Sequence, residues 1–505
     1  MLRRIRILLA VVCLLLITGL FLDFTGTLHS WFGWLPKLQF WPAVLALNVG
    51  VLLFLLLLTL LCGRIYCSVI CPLGVMQDVI SHLSGLRKKK KFRFSYSPAR
   101  NVLRYGVLVL FVAATLAGLG SLSALLAPYS AFGRIAHSLL APLYGWGNNL
   151  LAGWDEAQGS YVFARHEVWL RSIPTLVVAV ITLVLLFILA WRSGRSYCNT
   201  ICPVGTLLGF FSRFSLLRPV IDVSKCNGCT LCSRQCKASC IDPVHHRIDY
   251  SRCVTCMDCL GACKHGAISY RFRTKVAATK EHDSVACDVK LATSPADASR
   301  RLFLTGAGLA LGAVAVEARR KKVDGGLAKV IEKQQPVRRT PIVPPGSEGV
   351  RHFYQHCVAC QLCVSVCPNH VLRPSTDWTR LMQPESSYER GYCRPECTKC
   401  SEVCPTGSIR LLTRAEKSSE QIGHAVWIKQ NCLPVTDGVS CGNCARHCPV
   451  GAITMVPMDS ENEQSPRIPV VDENHCIGCG ACEHLCPVRP FSAIYVEGHE
   501  QHHTI

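Results

Sequence analysis

The sequence predicts a membrane α-helical bundle of four to five spans, followed by small α+β domains built around cysteine clusters. Three observations predict it. Long apolar runs crowd the first 195 of 505 residues, whereas 220–290 and 340–505 are polar. Most of the 32 cysteines fall in groups of four. A stretch of the apolar part also recurs: "GRIYCSVICPLG" at 63–74 and "GRSYCNTICPVG" at 194–205.

Four segments, 7–22, 41–61, 102–125 and 173–191, each hold about 16 or more mostly apolar residues, enough to span with little tilt. The flank "LDFTGTLHSW" after the first lacks a small-residue cleavage site, which favours an uncleaved anchor over a signal peptide. Positive charge sets the orientation. Arg3, Arg4 and Arg6 precede the first segment. Arg64, Arg87, Lys88 to Lys91, Arg93 and Arg100 follow the second, and Arg192 and Arg195 follow the fourth. The other loops are poor in Lys and Arg. The N-terminus, the loop 62–101 and the chain just after 192 are therefore expected in the cytoplasm of a bacterium, with the lipid bilayer of its inner membrane as solvent for the bundle. Trp31, Trp34, Trp146 and Trp169 then decorate the opposite interface.

The repeat places Cys67 and Cys71, then Cys198 and Cys202, directly after a span, at the cytoplasmic face. One copy of C-x3-C-P reads equally well as small apolar packing at a helix end. Two copies admit a cofactor-binding site, four thiols meeting to hold a further cluster or to do thiol redox chemistry. The outer loop 126–172 holds Arg134, His137, Asp155, Glu156, His166 and Glu167. A site for a quinol at the membrane edge needs a proton acceptor there, although a solvated loop explains any one of these residues.

Six motifs carry the metal chemistry. Cys226, Cys229, Cys232, Cys236 and Cys253, Cys256, Cys259, Cys263 are regular C-x2-C-x2-C-x3-C runs. Four more follow: Cys357, Cys360, Cys363, Cys367; Cys393, Cys397, Cys400, Cys404; Cys432, Cys441, Cys444, Cys448; and Cys476, Cys479, Cys482, Cys486. This is the spacing of [4Fe–4S] ligands, since a tight loop brings three thiolates to one cubane. Structural zinc pairs two knuckles across a longer gap, and disulfide scaffolds space cysteines irregularly. In adjacent runs of this type the fourth cysteine ligates the other cluster, so Cys263 is expected with Cys226, Cys229, Cys232, and Cys236 with Cys253, Cys256, Cys259. The longer spacers in the second and third C-terminal motifs make loops outside the metal site. Lys237 and Lys264 stand where proline usually follows the fourth cysteine, and a cation there favours the reduced cluster. Cys240 is an extra thiol able to replace Cys236; Cys13, Cys62 and Cys287 need no metal role.

Six [4Fe–4S]²⁺ cores on 24 thiolates bring the formal charge of +21 to about +9, so the basic balance mostly offsets metal-site charge. No aromatic-interleaved basic patch or nucleic-acid module occurs, so no nucleic-acid partner is expected. No nucleophile–base set or nucleotide loop occurs either, and no catalytic side chain is assigned. The function expected is electron transfer.

On the four spans, the paired C-x3-C-P motifs and the two-cluster run, residues 1–280 resemble the NapH/NosR type of membrane polyferredoxin. The flavin-bearing outer domain of NosR proteins has no counterpart. On "SRRLFL" (299–304), the stretched third motif and the final regular motif, residues 299–490 are similar to NapG, a four-cluster ferredoxin exported by the twin-arginine route. The resemblance implies α+β ferredoxin-like iron–sulfur domains and a quinol dehydrogenase that links the membrane quinone pool to a redox partner protein. It also implies nested pairing of the last four motifs, first with fourth and second with third; sequential pairing is the alternative. Rival readings are an assembly or regulatory factor for a metalloenzyme and a cytoplasmic ferredoxin–quinone link.

The expected organisation is therefore a membrane domain at 1–218, a two-cluster domain at 219–275, a linker at 276–298, a signal or anchor at 299–320, a linker at 321–350 and a four-cluster domain at 351–500. The apolar run 302–316 is about 22 Å as a helix, short of the roughly 30 Å of hydrocarbon. Arg319, Arg320, Lys321 and Lys322 behind it oppose ordinary insertion. Arg300 and Arg301 before it fit a twin-arginine signal for a folded, cluster-loaded domain, which would put the four-cluster domain in the periplasm.

Overall fold

Leucine, isoleucine and valine occupy most positions from 7 to 22, with no proline and no acidic residue, so the chain winds into one uninterrupted helix, Leu2–Leu22. At 21 residues it is about 31 Å long. A second helix of 21 residues, Ile173–Ser193, starts where the Ser172 hydroxyl accepts from the Thr175 N–H, 3.5 Å. These elements belong to a computed structural model, which describes residues 1–23, 25–86, 94–160, 162–273 and 331–505.

Among the described residues these two helices are long and apolar enough to cross a membrane. The expected span over 41–61 is broken. Helix Phe40–Leu45 ends, Leu47 takes φ 49°, and the Asn48 side chain caps a new helix, Val49–Cys62, by accepting from Val51 N–H at 3.2 Å. The span expected over 102–125 is broken too, because Asn101–Leu116 stops before Gly118, at φ 73°, and the chain restarts as Gly120–Leu126. All four principal helices turn apolar side chains outward, among them Leu8 and Leu15, Leu53 and Phe54, Val109 and Leu110, and Ile181 and Leu185.

Each copy of the repeat folds into a short helix followed by a proline-led one. These are Ile65–Val69 with Pro72–Gly85, and Ser196–Thr200 with Pro203–Ser212. Cys71 and Cys202 are the residues before those prolines, extended as a pre-proline residue prefers. Gly74 and Gly205 let the hairpins close: a Cβ there would lie 2.3 Å from the Cys67 or Cys198 carbonyl oxygen.

The cysteine-rich regions are built on two-stranded antiparallel sheets. Leu217–Ile221 pairs with Ile268–Phe272, and Ile241–Asp242 with Arg247–Ile248. Further along, Leu372–Pro374 pairs with Pro384–Ser386, Ile453–Pro457 with Arg467–Val471, and Glu420–Trp427 with Ile494–Thr504. The two ends of the helix Leu2–Leu22 meet different cysteine regions. Arg3 donates to Asp258 at 2.8 Å, and Arg6 to Asp78 at 2.9 Å. At the far end Phe21 packs on Tyr129 and Phe132, and the helix also meets the helix Leu362–Ser365.

The chain divides into two units. Everything above belongs to the first, residues 1–273, 335–488 and 492–505. The second comprises 274–334 with 489–491; its described part is joined by a hydrogen bond from Gln334 N–H to the Pro490 carbonyl, 2.8 Å. The 276–298 linker, the SRRLFL motif, the apolar run 302–316 and the basic residues 87–93 and 319–322 lie outside the described residues.

Candidate metal centres

The fourteen residues from Cys226 to Ser239 and the eleven from Cys253 to Cys263 wrap two neighbouring cavities. One is lined by Cys226, Cys229, Cys232 and Cys263. The other is lined by Cys236, Cys253, Cys256 and Cys259. The fourth cysteines have crossed, as the spacing predicts. Cys240 lines the second cavity as well, its sulfur 3.5 Å from that of Cys236. Lys237 does not approach the thiols as a free cation: its Nζ lies 2.9 Å from Asp258 and 3.4 Å from Asp78.

The four C-terminal motifs repeat this arrangement twice. One cavity is lined by Cys393, Cys397, Cys400 and Cys367. Another is lined by Cys476, Cys479, Cys482 and Cys448. Cys404 is the charged neighbour from outside their motif shared by Cys357, Cys360 and Cys363. Cys486 is that neighbour for Cys432, which also faces Cys441, as does Cys444. Pairing is therefore sequential, first motif with second and third with fourth. The nested pairing implied by resemblance is corrected. The physical reason is local. The hairpin Leu372–Pro374/Pro384–Ser386 joins the first two motifs and Ile453–Pro457/Arg467–Val471 the last two, as Ile241–Asp242/Arg247–Ile248 joins the first pair in the chain. The long spacer of the third motif holds a helical turn, Leu433–Thr436.

The donor set fits [4Fe–4S] clusters. No three His, Cys, Asp or Glu side chains close around a single metal ion among the described residues; four sets of four thiols line cavities instead. Burial pushes the Cys360 and Cys479 thiols up to about 12 and Cys444 up to about 11, so thiolates here need a cationic core among them. Backbone N–H groups aim at the sulfurs: Ala359 at Cys357, 3.4 Å; Ala267 at Cys263, 3.2 Å; Val371 at Cys367, 3.3 Å; and Ala493 at Cys486, 3.4 Å. Left-handed Thr230, Met257, Gln361 and Gly480, each directly after the second cysteine of its motif, turn the chain into the helix that carries the third.

The structure brings Cys67, Cys71, Cys198 and Cys202 together. Each is 4% exposed, and each of Cys67, Cys71 and Cys202 has Cys198 as a charged neighbour. They sit in one apolar cluster with Ile17, Leu55, Phe111 and Leu186 rather than at an edge of the bundle, because the short helix of each hairpin carries them back inside. Two buried arginines, 0% exposed, bind the hairpins reciprocally. Arg64 Nη2 lies 3.1 Å from the Cys198 carbonyl and 3.9 Å from the Cys67 sulfur; Arg195 Nη1 lies 2.6 Å from the Cys67 carbonyl and 3.9 Å from the Cys198 sulfur. Gln77 donates to the Cys198 sulfur at 3.2 Å and Gly205 N–H to the Cys202 sulfur at 3.3 Å. Motif spacing could not reveal these arginines, although both copies of the repeat begin with Gly-Arg.

The thiol groups follow one another in space. Cys444 neighbours Cys482, Cys479 neighbours Cys393, and Cys400 neighbours Cys363. Arg134 lies within electrostatic reach of both Cys360 and Tyr197, and Tyr197 within reach of Cys198 and Cys202. On the other side Arg64 acts on Cys253.

Among family models, a 4Fe-4S binding domain matches residues 44–91 and 175–221, and a 4Fe-4S dicluster domain matches 439–489. The first match contains the four central thiols. Fold and site thus define an iron–sulfur electron-transfer protein of the ferredoxin type. The chain is 31% identical over 166 residues to the methylamine utilization ferredoxin-type protein MauM of Methylophilus methylotrophus, covering 31% of this chain and 72% of MauM. It belongs to the ferredoxin-type 4Fe-4S proteins that include MauM. It is also 28% identical to the ferredoxin-type protein NapF of Escherichia coli K12, over 35% of this chain and 99% of NapF. An uncharacterized protein of Methanocaldococcus jannaschii is 26% identical over 54% of this chain and 88% of its own length. No solved structure matches.

Proposed function

We propose that the chain relays electrons across a bacterial inner membrane, between the quinone pool and a redox partner enzyme. Six [4Fe–4S] clusters, in the ligand sets described above, and a further cluster at Cys67, Cys71, Cys198 and Cys202 would each take up and release one electron. The protein holds these sites in sequence, excludes water from the central one and places donors at the sulfurs. The observation that carries the reading is the order of the thiol groups along a helix of bilayer length: Asp258, beside Cys259, at one end, and Phe21 near Cys360 at the other. The outward apolar faces of four helices support a multi-pass bundle. With the N-terminus and two-cluster domain cytoplasmic, the four-cluster domain is periplasmic, exported on the SRRLFL signal. This is the division of labour of a NapH/NosR-like part fused to a NapG-like part.

The test uses the full chain in oriented proteoliposomes. A membrane-impermeant reductant on the two-cluster side reduces an impermeant acceptor on the other side, and Cys198→Ser with Cys202→Ser abolishes this. Reporters after Phe272 and after Ile505 that fall on the same side overturn the reading.

A further inference from the structure

We propose that Arg134 sets the reduction potential of the cluster held by Cys357, Cys360, Cys363 and Cys404, raising it with a buried charge that no carboxylate neutralises. This deepens the relay proposed above, of which that cluster is one station, and rests on the cluster being loaded.

Arg134 is carried by the helix Pro128–Ile135, every residue of which is buried. The helix lies directly against the first C-terminal motif. A Cβ on Gly133 would stand 2.2 Å from the Cys360 carbonyl oxygen, so only glycine lets the two backbones meet there. Ala124, whose carbonyl accepts from Arg134 Nη1 at 2.8 Å, packs with Ala359 and Met382. Backbone contact on one side and the Ala124 anchor on the other thus hold the guanidinium beside the motif, within electrostatic reach of Cys360.

Its hydrogen bonds leave the charge in place. Arg134 is 0% exposed, Nη2 donates to the Leu125 carbonyl at 3.4 Å, and Nε has no partner. Both carbonyl acceptors are neutral, and among the described residues no carboxylate forms an ion pair with the group. An arginine does not escape such a site by losing its proton. Other buried cations near the thiols are placed differently. Arg195 is held by Asp78, and Lys237 is shared between Asp78 and Asp258. Arg64, which also lacks a carboxylate, lies 3.9 Å from the Cys67 sulfur and belongs to the central site.

A buried cation without a counter-ion is costly, so Arg134 calls for an anion. Four thiolates around a [4Fe–4S]²⁺ core are a net anion, and one electron makes it more negative. Arg134 therefore favours the reduced form over the oxidised one, from an interior where neither water nor salt screens it. Position gives the shift a use. Arg134 is also within electrostatic reach of Tyr197, and Tyr197 of Cys198 and Cys202. A raised potential at this set favours transfer toward it from the central thiols.

The test is a redox titration of the full cluster-loaded chain in detergent, followed by electron paramagnetic resonance, with iron content measured alongside. The cluster in question is the one whose signal is missing from Cys360→Ala. In Arg134→Gln, whose amide can still donate to the Ala124 carbonyl, its midpoint falls: at a fixed potential the ratio of reduced to oxidised cluster drops about tenfold, or 59 mV for one electron. The other signals do not move. Arg134→Lys, which keeps the charge, retains most of the wild-type value. Ser130→Asp places a carboxylate one turn before Arg134 on the same helix face and lowers the midpoint with the arginine still present. That variant decides if Arg134→Gln loses iron. An unchanged midpoint in iron-replete Arg134→Gln, an equal fall in Arg134→Lys, or an unchanged midpoint in Ser130→Asp where Arg134→Gln does not load, overturns the inference. The two readings fail separately, because the midpoint is read with no bilayer to cross. A shifted midpoint in a chain that passes no electrons across vesicles removes the relay and keeps the role of Arg134. Transfer across vesicles with an unchanged midpoint removes that role and keeps the relay.

Discussion

Arg195 grips both sides of the repeat, donating to the Cys67 carbonyl at 2.6 Å while holding Asp78 through Nε and Nη2 at 2.9 and 2.8 Å. Arg64, its counterpart, meets the neutral Asn199 at 2.9 Å and the Ser251 carbonyl at 3.1 Å. Asp78 thus serves three cations, Arg195, Arg6 and Lys237, and is the hub of the buried charge. Removing one partner of a buried pair leaves the other charge uncompensated. Asp78→Ala should destabilise the bundle by about 3–5 kcal/mol. Asn199→Ala, which removes a neutral acceptor, should cost about 1–3 kcal/mol. Denaturant unfolding of the detergent-solubilised chain compares them, and equal losses would contradict the asymmetry.

Gly74 and Gly205 are the points of closest approach within the hairpins, where an added Cβ meets a carbonyl oxygen at 2.3 Å. Gly74→Ala and Gly205→Ala should each push a cysteine pair off position and, with the cluster proposed at the central thiols, lower the iron bound per chain. Gly106→Ala, which meets nothing within 4 Å, is the control and should leave iron content unchanged.

Sequential pairing has a stoichiometric signature. If Cys360 and Cys404 hold one cluster, Cys360→Ala with Cys404→Ala should lose about four irons, the same as either change alone. Cys360→Ala with Cys486→Ala should lose about eight, because two clusters are struck. Nested pairing reverses the two results. Iron analysis of the purified variants decides.

The grouping of the first eight motif cysteines is legible in the chain because the spacing folds each motif into a tight loop, and Cys226 to Cys263 cross as a regular pair of motifs should. The partition of the C-terminal cysteines is not. It depends on which hairpins close, and resemblance favoured nesting where Leu372–Pro374 and Ile453–Pro457 make local pairs. The spans at 41–61 and 102–125 read as continuous because apolarity persists through Leu47 and Gly118, whose left-handed backbone breaks the helices. The burial of Cys67, Cys71, Cys198 and Cys202 followed from no local pattern, since it needs both copies to fold back against each other. His137 was visible as a titratable residue in an outer loop, but its burial exists only in the folded chain.

Lys237 takes the position usually held by proline, and sequence alone suggests that its charge raises the potential of the neighbouring cluster. Its Nζ is instead shared between Asp258 and Asp78, so much of that charge is already offset. The larger effect of Lys237 is on Asp258. Burial raises that carboxyl, but Lys237 and then Arg3 outweigh it and hold it below the usual carboxylate range. A carboxyl depressed in the folded state contributes stability that is present above its unfolded pKa, about 3.9, and lost as pH falls through the lower folded value. Lys237→Met removes the main opposing cation, so Asp258 should take up its proton at a higher pH than in the wild type. Thermal unfolding between pH 7 and pH 4 should then show the variant least stable relative to the wild type at pH 7, with the gap narrowing toward acid, because a carboxyl no longer held down has less stability to lose. A variant whose profile runs parallel to the wild type across that window would show that Lys237 does not hold the Asp258 charge.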